Sequence, residues 1–290
     1  MIDTASSLAT ARRMWTRFEP IHTVTYFTPE ARDAYDAVGL RGYWRGYFAG
    51  RSAPLGPVDA MPVIATFHGF APAMVRRALP DVWTRATPAA TLSARRIGAE
   101  AALLRLAVDV EPAELAEAAD QAEAAVELLD PAGHTIGAAN LGLPRDPDTS
   151  ALARLWQAAT TLREHRGDGH VAALVSYGFD GCESVVWRAG IRHRETMQQF
   201  RGWTDAEWDA ATDRLRDRGW LRPDGTHTPD GSDAYAAVEQ ATDRAAARVW
   251  NAFGADRTET LRDLLTPFAI LAYAAIPVAN PIGVPHPTGG

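Results

Sequence analysis

The chain has 290 residues, of which 47% are hydrophobic and 22% charged, as expected of an ordinary soluble globular protein with one large or two small domains. Its net charge of −7 is opposite to the basic surface of a general nucleic-acid binder, and all 29 basic residues are arginine. The single cysteine, Cys182, excludes an internal disulfide and a cysteine-built metal site, and it favours a reducing cytoplasm.

The N-terminal region predicts a short helix over residues 8–17, with Met14 and Trp15 facing inward. The sequence TPEARDAYDAV at 28–38 then recurs as TPDGSDAYAAV at 228–238. This match suggests an internal duplication. The alternative is that Thr-Pro is simply a good helix start in an alanine-rich chain.

The next stretch, GYWRGYFAGRSAPLG at 42–56, is rich in aromatic residues and arginine. Its aromatic side chains cannot all face one core, so a pocket that stacks a planar anionic ligand is one interpretation. We predict ligand contacts from Tyr43, Arg45, Tyr47 and Arg51. Core packing, with Arg51 at a helix end, explains the same residues.

His68 stands in an otherwise apolar segment, ATFHGF. A single histidine there is more often a hydrogen-bonded interior residue than a ligand. If the fold brought it near His165 or His170, a metal or haem site would be possible. We include His68 among the candidate ligand-binding residues, and we assign no metal ligands and no cofactor.

Hydrophobic spacing predicts further helices along the chain. They cover residues 57–68, 71–83, 88–106, 150–165, 170–178, 183–190, 194–200, 231–252 and 261–276. No apolar run is long enough to cross a membrane. Pro144 and Pro147 favour a linker and divide the chain into domains 1–146 and 147–276, followed by an extended tail over 277–290.

The stretch LREHRGDGH at 162–170 contains many ionisable side chains that could act as acids, bases or anion ligands. We expect a helix to end near Arg166 and a turn at 167–169, with Asp168 capping a new helix. His165, Asp168 and His170 are candidate catalytic acids and bases, and Arg166 is a candidate anion ligand. A charge-rich helix end with an N-cap explains the same residues.

The stretch 203–238 predicts a helix, a small hairpin and a second helix. Thr204 and Glu207 form a capping box, and Gly219 ends the first helix. Pro223 to Gly225 predict a tight turn between two short strands, after which Thr228 caps the next helix.

This order, with the wording RLRDRGWL and THTPDGSDAY, resembles the recognition helix, wing and following helix of MarR-like winged-helix proteins. The resemblance covers about a third of the chain. It implies that the elements flanking the winged helix pair two subunits or pack the two halves of one chain. The wording of 162–170 and of YFAGRSAPLG at 47–56 is similar to an actinobacterial group of helix-turn-helix-type proteins, and that similarity implies no activity.

In MarR-like proteins the N-terminal end of the recognition helix enters the DNA major groove, where phosphates demand donors or cations. Here that end carries Asp205, Glu207 and Asp209, while the arginines lie in the farther half. These acids also suit the helix dipole, which is compatible with a loss of DNA reading. DNA is therefore the weaker candidate partner.

Residues 112–140 resemble the helix and hairpin of 203–238, with an acidic amphipathic helix followed by the turn-like Asp130-Pro-Ala-Gly133. The predicted fold is therefore mainly α, with two winged-helix-like modules in tandem, small β wings and long packing helices. The first functional hypothesis is a small-molecule site, binding or catalytic, between the modules, for an anionic or planar aromatic ligand. The others are a ligand-responsive MarR-like regulator, with a possible homodimer, and an interaction adaptor.

Overall fold

The computed structural model describes residues 4–107, 110–190, 192–277, 280–284 and 286–288, and it is mainly helical. The α-helices of the described residues are α1 (Thr4–Phe27), α2 (Pro29–Ala37), α3 (Tyr43–Ser52), α4 (Ala60–Thr66), α5 (Pro72–Arg76), α6 (Pro88–Leu106), α7 (Pro112–Val126), α8 (Thr135–Leu141), α9 (Ala151–Ser176), α10 (Gly181–Ala189), α11 (Arg194–Arg201), α12 (Asp205–Asp217), α13 (Pro229–Phe253) and α14 (Ala255–Ala274). Short 3₁₀ turns lie at Ala53–Leu55 and Asp81–Thr84.

Helix α9 is the centre of the helical body and packs against α1, α6, α7, α8 and α13. Leu155 and Trp156 are fully buried on it, and the Trp156 indole donates to the His22 carbonyl at 3.2 Å. Alanines of α7 let that helix approach α9 closely, since Ala118 and Ala119 are fully buried. Burying one large apolar side chain contributes about 1.5–3 kcal/mol, so this core is the main source of stability.

A second core lies under α2 to α6 and is dominated by aromatic side chains. Phe48 is fully buried at its centre, and its ring lies 5.2 Å from that of Phe70 and 6.3 Å from that of Phe67. Edge-to-face and stacked pairs at these separations are the preferred aromatic arrangements. The aromatic stretch of residues 42–56 therefore supplies much of this core.

Helices α10, α11 and α12 form a three-helix unit with its own core. Trp208, Ala211 and Leu215, spaced three and four residues apart, face inward from α12, and Cys182 lies among them as a buried core residue. Burial raises the pKa of the Cys182 thiol to about 12, so the thiol is protonated at neutral pH.

The turn between α11 and α12 has three residues. Gly202 takes the left-handed conformation (φ 75°, ψ 17°) after the last residue of α11. Thr204 then caps α12 through the predicted capping box: Glu207 N donates to its hydroxyl at 3.3 Å, and Thr204 N donates to the Glu207 carboxylate at 2.9 Å. Two helices joined by a short glycine-containing turn are a helix-turn-helix arrangement.

The predicted β wings are not supported. In the described residues strand pairing is limited to one antiparallel bridge between Leu221 and His227, closed by the Pro223–Gly225 turn. The Arg222 side chain folds onto this turn and bonds the His227 carbonyl. After α7 the chain forms turns and then enters α8, so a helix stands where a first wing would need a strand. Asp168 of α9 caps this helix by accepting from Gly137 N.

A segment between α4 and α5 holds the three-helix unit against the body. Ala71 N donates to the Arg201 carbonyl at 2.8 Å, and the Trp203 indole donates to the Gly69 carbonyl at 3.1 Å. The His68 ring donates to the Phe179 carbonyl at 3.2 Å. These three bonds connect the body to the start of α10 and to the α11–α12 turn, and we call this connection the 68–71 clamp.

Several helix predictions are confirmed, most closely 88–106 for α6 and 194–200 for α11. The predicted helix over 8–17 continues through Pro20 to Phe27, and 71–83 is one short helix and a 3₁₀ turn.

Thr28 and Thr228 both precede a proline at the first position of a helix, but only the Thr228 hydroxyl accepts a capping bond, from Gly231 N at 3.1 Å. Duplication of the chain stays a prediction.

No helix within the described ranges is long and apolar enough to span a membrane. The tail that we predicted to be extended forms turns over its described residues, and residues 278–279, 285 and 289–290 lie outside them. Its segment 280–284 lies against the three-helix unit, where Arg188 and Arg201 both donate to the Pro281 carbonyl, at 2.6 and 3.2 Å.

Candidate functional site

The stretch 162–170 lies wholly inside α9, and the turn that we predicted at 167–169 does not form. Gly169 is buried where a Cβ would lie 3.4 Å from the Ala245 side chain and 3.5 Å from the His134 ring. Gly169 therefore lies in a helix at ordinary packing distance from its neighbours, and it does not form a turn. Asp168 does cap a helix, but that helix is α8 and not the predicted one beginning at His170.

Because α9 is continuous, its side chains divide into two faces with the period of 3.6 residues. Glu164, His165 and Asp168 point towards α3 and α8, and we call this the closed face. Arg163, Arg166 and His170 point towards α1, α10 and α13, and we call this the open face.

On the closed face, Glu164 is 2% exposed and binds Arg51 through two bonds of 2.9 and 2.8 Å. Arg163 donates to the same carboxylate at 2.8 Å. Although burial alone would raise the pKa of Glu164, the two guanidinium groups hold it well below its ordinary value. This buried network joins α9 to α3, which places Arg51 in an ion pair.

The other two closed-face residues hold α8. The Asp168 carboxylate accepts from Gly137 N at 2.8 Å, and burial raises the pKa of Asp168 to about 6. The His165 ring stacks on His134 at 3.6 Å between centroids and donates to the Asp130 carbonyl at 3.0 Å. Burial lowers the pKa of His165 to about 4, so the ring is neutral at pH 7. Both side chains are engaged in packing.

The predicted aromatic ligand residues pack on one another. Tyr47 accepts from Arg51 at 2.9 Å, and its ring lies 6.1 Å from that of Tyr43. The cavity beside them measures about 30 Å³, the room of about one water molecule. Arg45 is exposed and donates to the Arg41 carbonyl.

His68 belongs to the 68–71 clamp, where burial lowers its pKa. Within the described residues, no group of three histidine, cysteine, aspartate or glutamate side chains could hold a metal ion. The rings of His68, His165 and His170 instead make hydrogen bonds with three separate partners.

The open face borders a cavity of about 640 Å³, which we call the α9/α10 cavity. Its wall is supplied by α1, α9, α10, α11, α13, α14 and the 280–284 segment. Arg166 and His170 line it together, as the sequence hypothesis of one polar site requires, whereas His165 and Asp168 are not among its lining residues.

The polar groups of the open face are incompletely paired. Arg166 is 7% exposed and contacts Asp243 at 2.8 Å, while its Nη1 is buried without a hydrogen-bond partner. His170 Nδ1 lies 3.0 Å from the Thr242 hydroxyl, and burial lowers the pKa of His170 to about 4. A neutral imidazole and a buried guanidinium therefore face the cavity at pH 7.

Sequence reasoning missed Arg188, Trp15 and Tyr235, which complete this wall. Arg188 is exposed on the cavity wall and donates to the Pro281 carbonyl, and no carboxylate of the described residues forms an ion pair with it. Nothing in the local sequence distinguishes it, since a basic residue in the last turn of a helix also suits the helix dipole.

The outer surface of α12 is acidic. The side chains of Asp205, Asp209 and Asp213 are 86%, 59% and 69% exposed, and Arg194 of α11 contacts the first two. Asp205 and Asp209 lie in the N-terminal half of the helix, the end that would face DNA phosphates in a recognition helix.

The arginines of α12 and its C-terminal end are held by the protein itself. Arg214 and Arg218 both bind the fully buried Glu183, at 2.8 and 2.9 Å, and Arg216 contacts Asp213 at 3.0 Å. Their charge is therefore largely neutralised before any partner approaches.

A family model described as "Helix-turn-helix family" matches residues 11–277 of the chain. The chain matches no curated protein and no solved structure. The match covers the body as well as the three-helix unit, so both parts fall within one family description.

Proposed function

The chain belongs to this helix-turn-helix family, and from the geometry of its cavity we propose that it is a small-molecule-binding protein whose ligand occupies the α9/α10 cavity, between the three-helix unit and the helical body. The observation that carries the proposal is Arg188, a cavity-wall cation without a carboxylate partner among the described residues. Pockets with few polar groups at fixed positions and aromatic walls are typical ligand sites.

The wall chemistry favours an anionic ligand with a planar apolar body. Arg188 can pair with a carboxylate or phosphate, and such charge-assisted bonds are about twice as strong as neutral ones. Trp15 and Tyr235 offer apolar surface, and burial raises the pKa of Tyr235 to about 12, so its hydroxyl is available as a donor at neutral pH. Glu239 lies on the same wall and disfavours a dianion close to it.

Binding suits this geometry better than catalysis. An efficient general base has a pKa near the working pH, whereas the pKa of His170 is about 4. Of the three candidate catalytic residues, His170 alone lines the cavity. Catalytic roles for His165, Asp168 and His170 stay predictions, and the proposal does not depend on them.

The test is native mass spectrometry of freshly purified protein, followed by isothermal titration with 1-naphthoate and its neutral analogue 1-naphthylmethanol. We expect a retained anionic metabolite or naphthoate binding that Arg188→Gln weakens about tenfold or more, the loss of one charge-assisted bond. Arg192→Gln, at an exposed position nearby, is the control and should leave affinity unchanged. A clean mass with no naphthoate binding, or equal affinity in the Arg188→Gln protein, would reject the proposal.

The second candidate is a ligand-responsive, MarR-like DNA-binding regulator that forms a homodimer through the flanking helices. The glycine turn, the capped α12 and the single bridge after it support this candidate. The exposed acids of α12 oppose it. We expect no mobility shift of mixed-sequence duplex DNA at about 50 mM salt, where even weak phosphate contacts bind. A shift that weakens steeply with salt would favour the regulator.

A further inference from the structure

A second cavity lies on the opposite side of α9 from the three-helix unit. It measures about 690 Å³ and is bounded by α6, α7, the end of α8, the 143–149 loop and α9. Its wall is mostly apolar, with Leu92, Val126, Leu141 and Ala158 among its residues. At its base is Arg95 of α6, after which we call it the Arg95 cavity.

Arg95 is a buried cation with neutral partners only. It is 5% exposed, and its guanidinium donates to the Gly50 carbonyl at 3.0 Å and to the amide oxygens of Asn140 and Gln157 at 3.1 and 3.2 Å. Its Nε is buried with no partner, and no carboxylate of the described residues comes within 4 Å of it. The other face of the guanidinium lies 5.3 Å from the Trp156 ring.

An unpaired buried charge is costly, and proteins normally pair such a group or neutralise it. Arginine stays charged at physiological pH, so an anion is the partner that would satisfy the open donor and also compensate the charge. The contrast with Arg51 is direct, because that buried arginine of the same body has a two-bond carboxylate partner, Glu164. Arg95 borders a cavity, whereas Arg51 contacts the carboxylate of Glu164.

We propose that the Arg95 cavity binds a monoanionic amphiphile, a carboxylate on an apolar chain, with the carboxylate paired to Arg95 and the chain along Leu92, Val126 and Leu141. Three further arginines on the wall, Arg96, Arg145 and Arg154, are each paired with a carboxylate, so among the described wall residues Arg95 is the arginine left without one. This site is independent of the α9/α10 cavity and of the proposed function, and it takes a flexible rather than a planar ligand.

The experiment is isothermal titration of the full chain with decanoate, and with decanol as the neutral analogue. We expect one decanoate to bind per chain, and Arg95→Gln to weaken decanoate at least about tenfold while leaving decanol unchanged. Arg105→Gln, an exposed position on the same helix outside the cavity, is the matched control. Arg188→Gln separates the two cavities and should leave decanoate affinity within about twofold.

A second variant keeps the proposal falsifiable if Arg95→Gln does not fold. Ser93 is an exposed residue of the same wall, so Ser93→Trp would fill the cavity from its solvent side without disturbing the core. Loss of decanoate binding in Ser93→Trp supports the site. Absence of decanoate binding to the wild-type chain, unchanged binding in both wall variants, or loss of binding in Arg188→Gln would overturn it.

Discussion

The two faces of α9 carry similar residues and differ in what covers them. On the closed face, Glu164, His165 and Asp168 each contact a neighbouring helix or the turn before α8 through short bonds. On the open face, Arg166 and His170 border a cavity of about 640 Å³. Within nine consecutive residues, burial against a neighbouring helix separates structural groups from ligand-accessible ones.

This contrast shows that a cluster of titratable residues in a sequence does not identify a site by itself. A helix places residues three or four apart on one face, so 164 and 168 belong together, as do 163, 166 and 170. Each face then acquires its role from the helix opposite it. The experiments below test that division, beginning with the largest expected effect.

Replacing Glu164 with glutamine should destabilise the fold most. It would leave Arg51 and Arg163 without their shared buried carboxylate, and breaking such a network costs about 3–5 kcal/mol. Urea unfolding measures the change in free energy. Asp263→Asn removes an exposed partner of Arg262 and should cost less than about 1 kcal/mol. Equal effects of the two variants would show that the closed face is not specially stabilised.

Replacing Gly137 with alanine should separate α8 from α9. A Cβ there would lie 2.7 Å from the Cα of His165, which is backbone that cannot move aside, so we expect a loss of about 1–3 kcal/mol. Gly142→Ala is the control, because its nearest contact would be an ordinary 3.5 Å. Equal midpoints of unfolding for the two variants would contradict the packing described for α8.

Replacing Asp168 with asparagine should change how stability depends on pH. Its folded pKa of about 6 lies above the ordinary value of 3.8, so the folded protein retains this proton longer than the unfolded chain as the pH rises. The carboxyl therefore contributes stability below about pH 4 that is lost as the pH rises through 6.

For this partly exposed group we expect a loss of about 1 kcal/mol between pH 4 and 7, and Asp168→Asn should remove it while keeping the capping acceptor. Because the lowered pKa values of the histidines act in the opposite direction, the measured quantity is the difference between wild type and variant at each pH. A constant difference across this range would count against the raised pKa.

The smallest effect belongs to the open face. His170→Gln should change the free energy of unfolding by less than about 1 kcal/mol, since the side chain borders a cavity and makes one hydrogen bond, with the Thr242 hydroxyl. His165→Gln, five residues earlier, should cost about 1–2 kcal/mol because its ring stacks on His134 and bonds the Asp130 carbonyl. A reversed order of the two values would refute the assignment of faces.

Helix ends could be predicted from the sequence where a single local motif determines them. The Thr204–Glu207 capping box and the Thr228-Pro229 helix start gave the bounds of α12 and α13 to within about two residues. Long-range packing was not readable. The glycines at 167 and 169 indicated a turn, but these residues are helical. The sequence alone does not show that α13 and the turn before α8 pack against this part of α9.

The candidate site could be predicted only in part for the same reason. Arg166 and His170 were recognised within one stretch, whereas Arg188, Trp15 and Tyr235 come from three distant helices. The predicted wing failed for a different reason, since the turn over Pro223–Gly225 forms but the flanking residues pair only once. Arg95 gave no signal at all, because its missing carboxylate is a property of the folded environment.

The 68–71 clamp bears on how a ligand's presence could be transmitted. Its backbone and indole bonds are made at both sides of the α11–α12 turn, so α12 cannot swing as a hinged lever while Ala71 and Trp203 keep their partners. Any reorientation of that helix has to break these bonds or carry the 68–71 segment with it. A hinge motion of α12 that breaks this connection would therefore be visible as faster hydrogen exchange at Ala71 N–H.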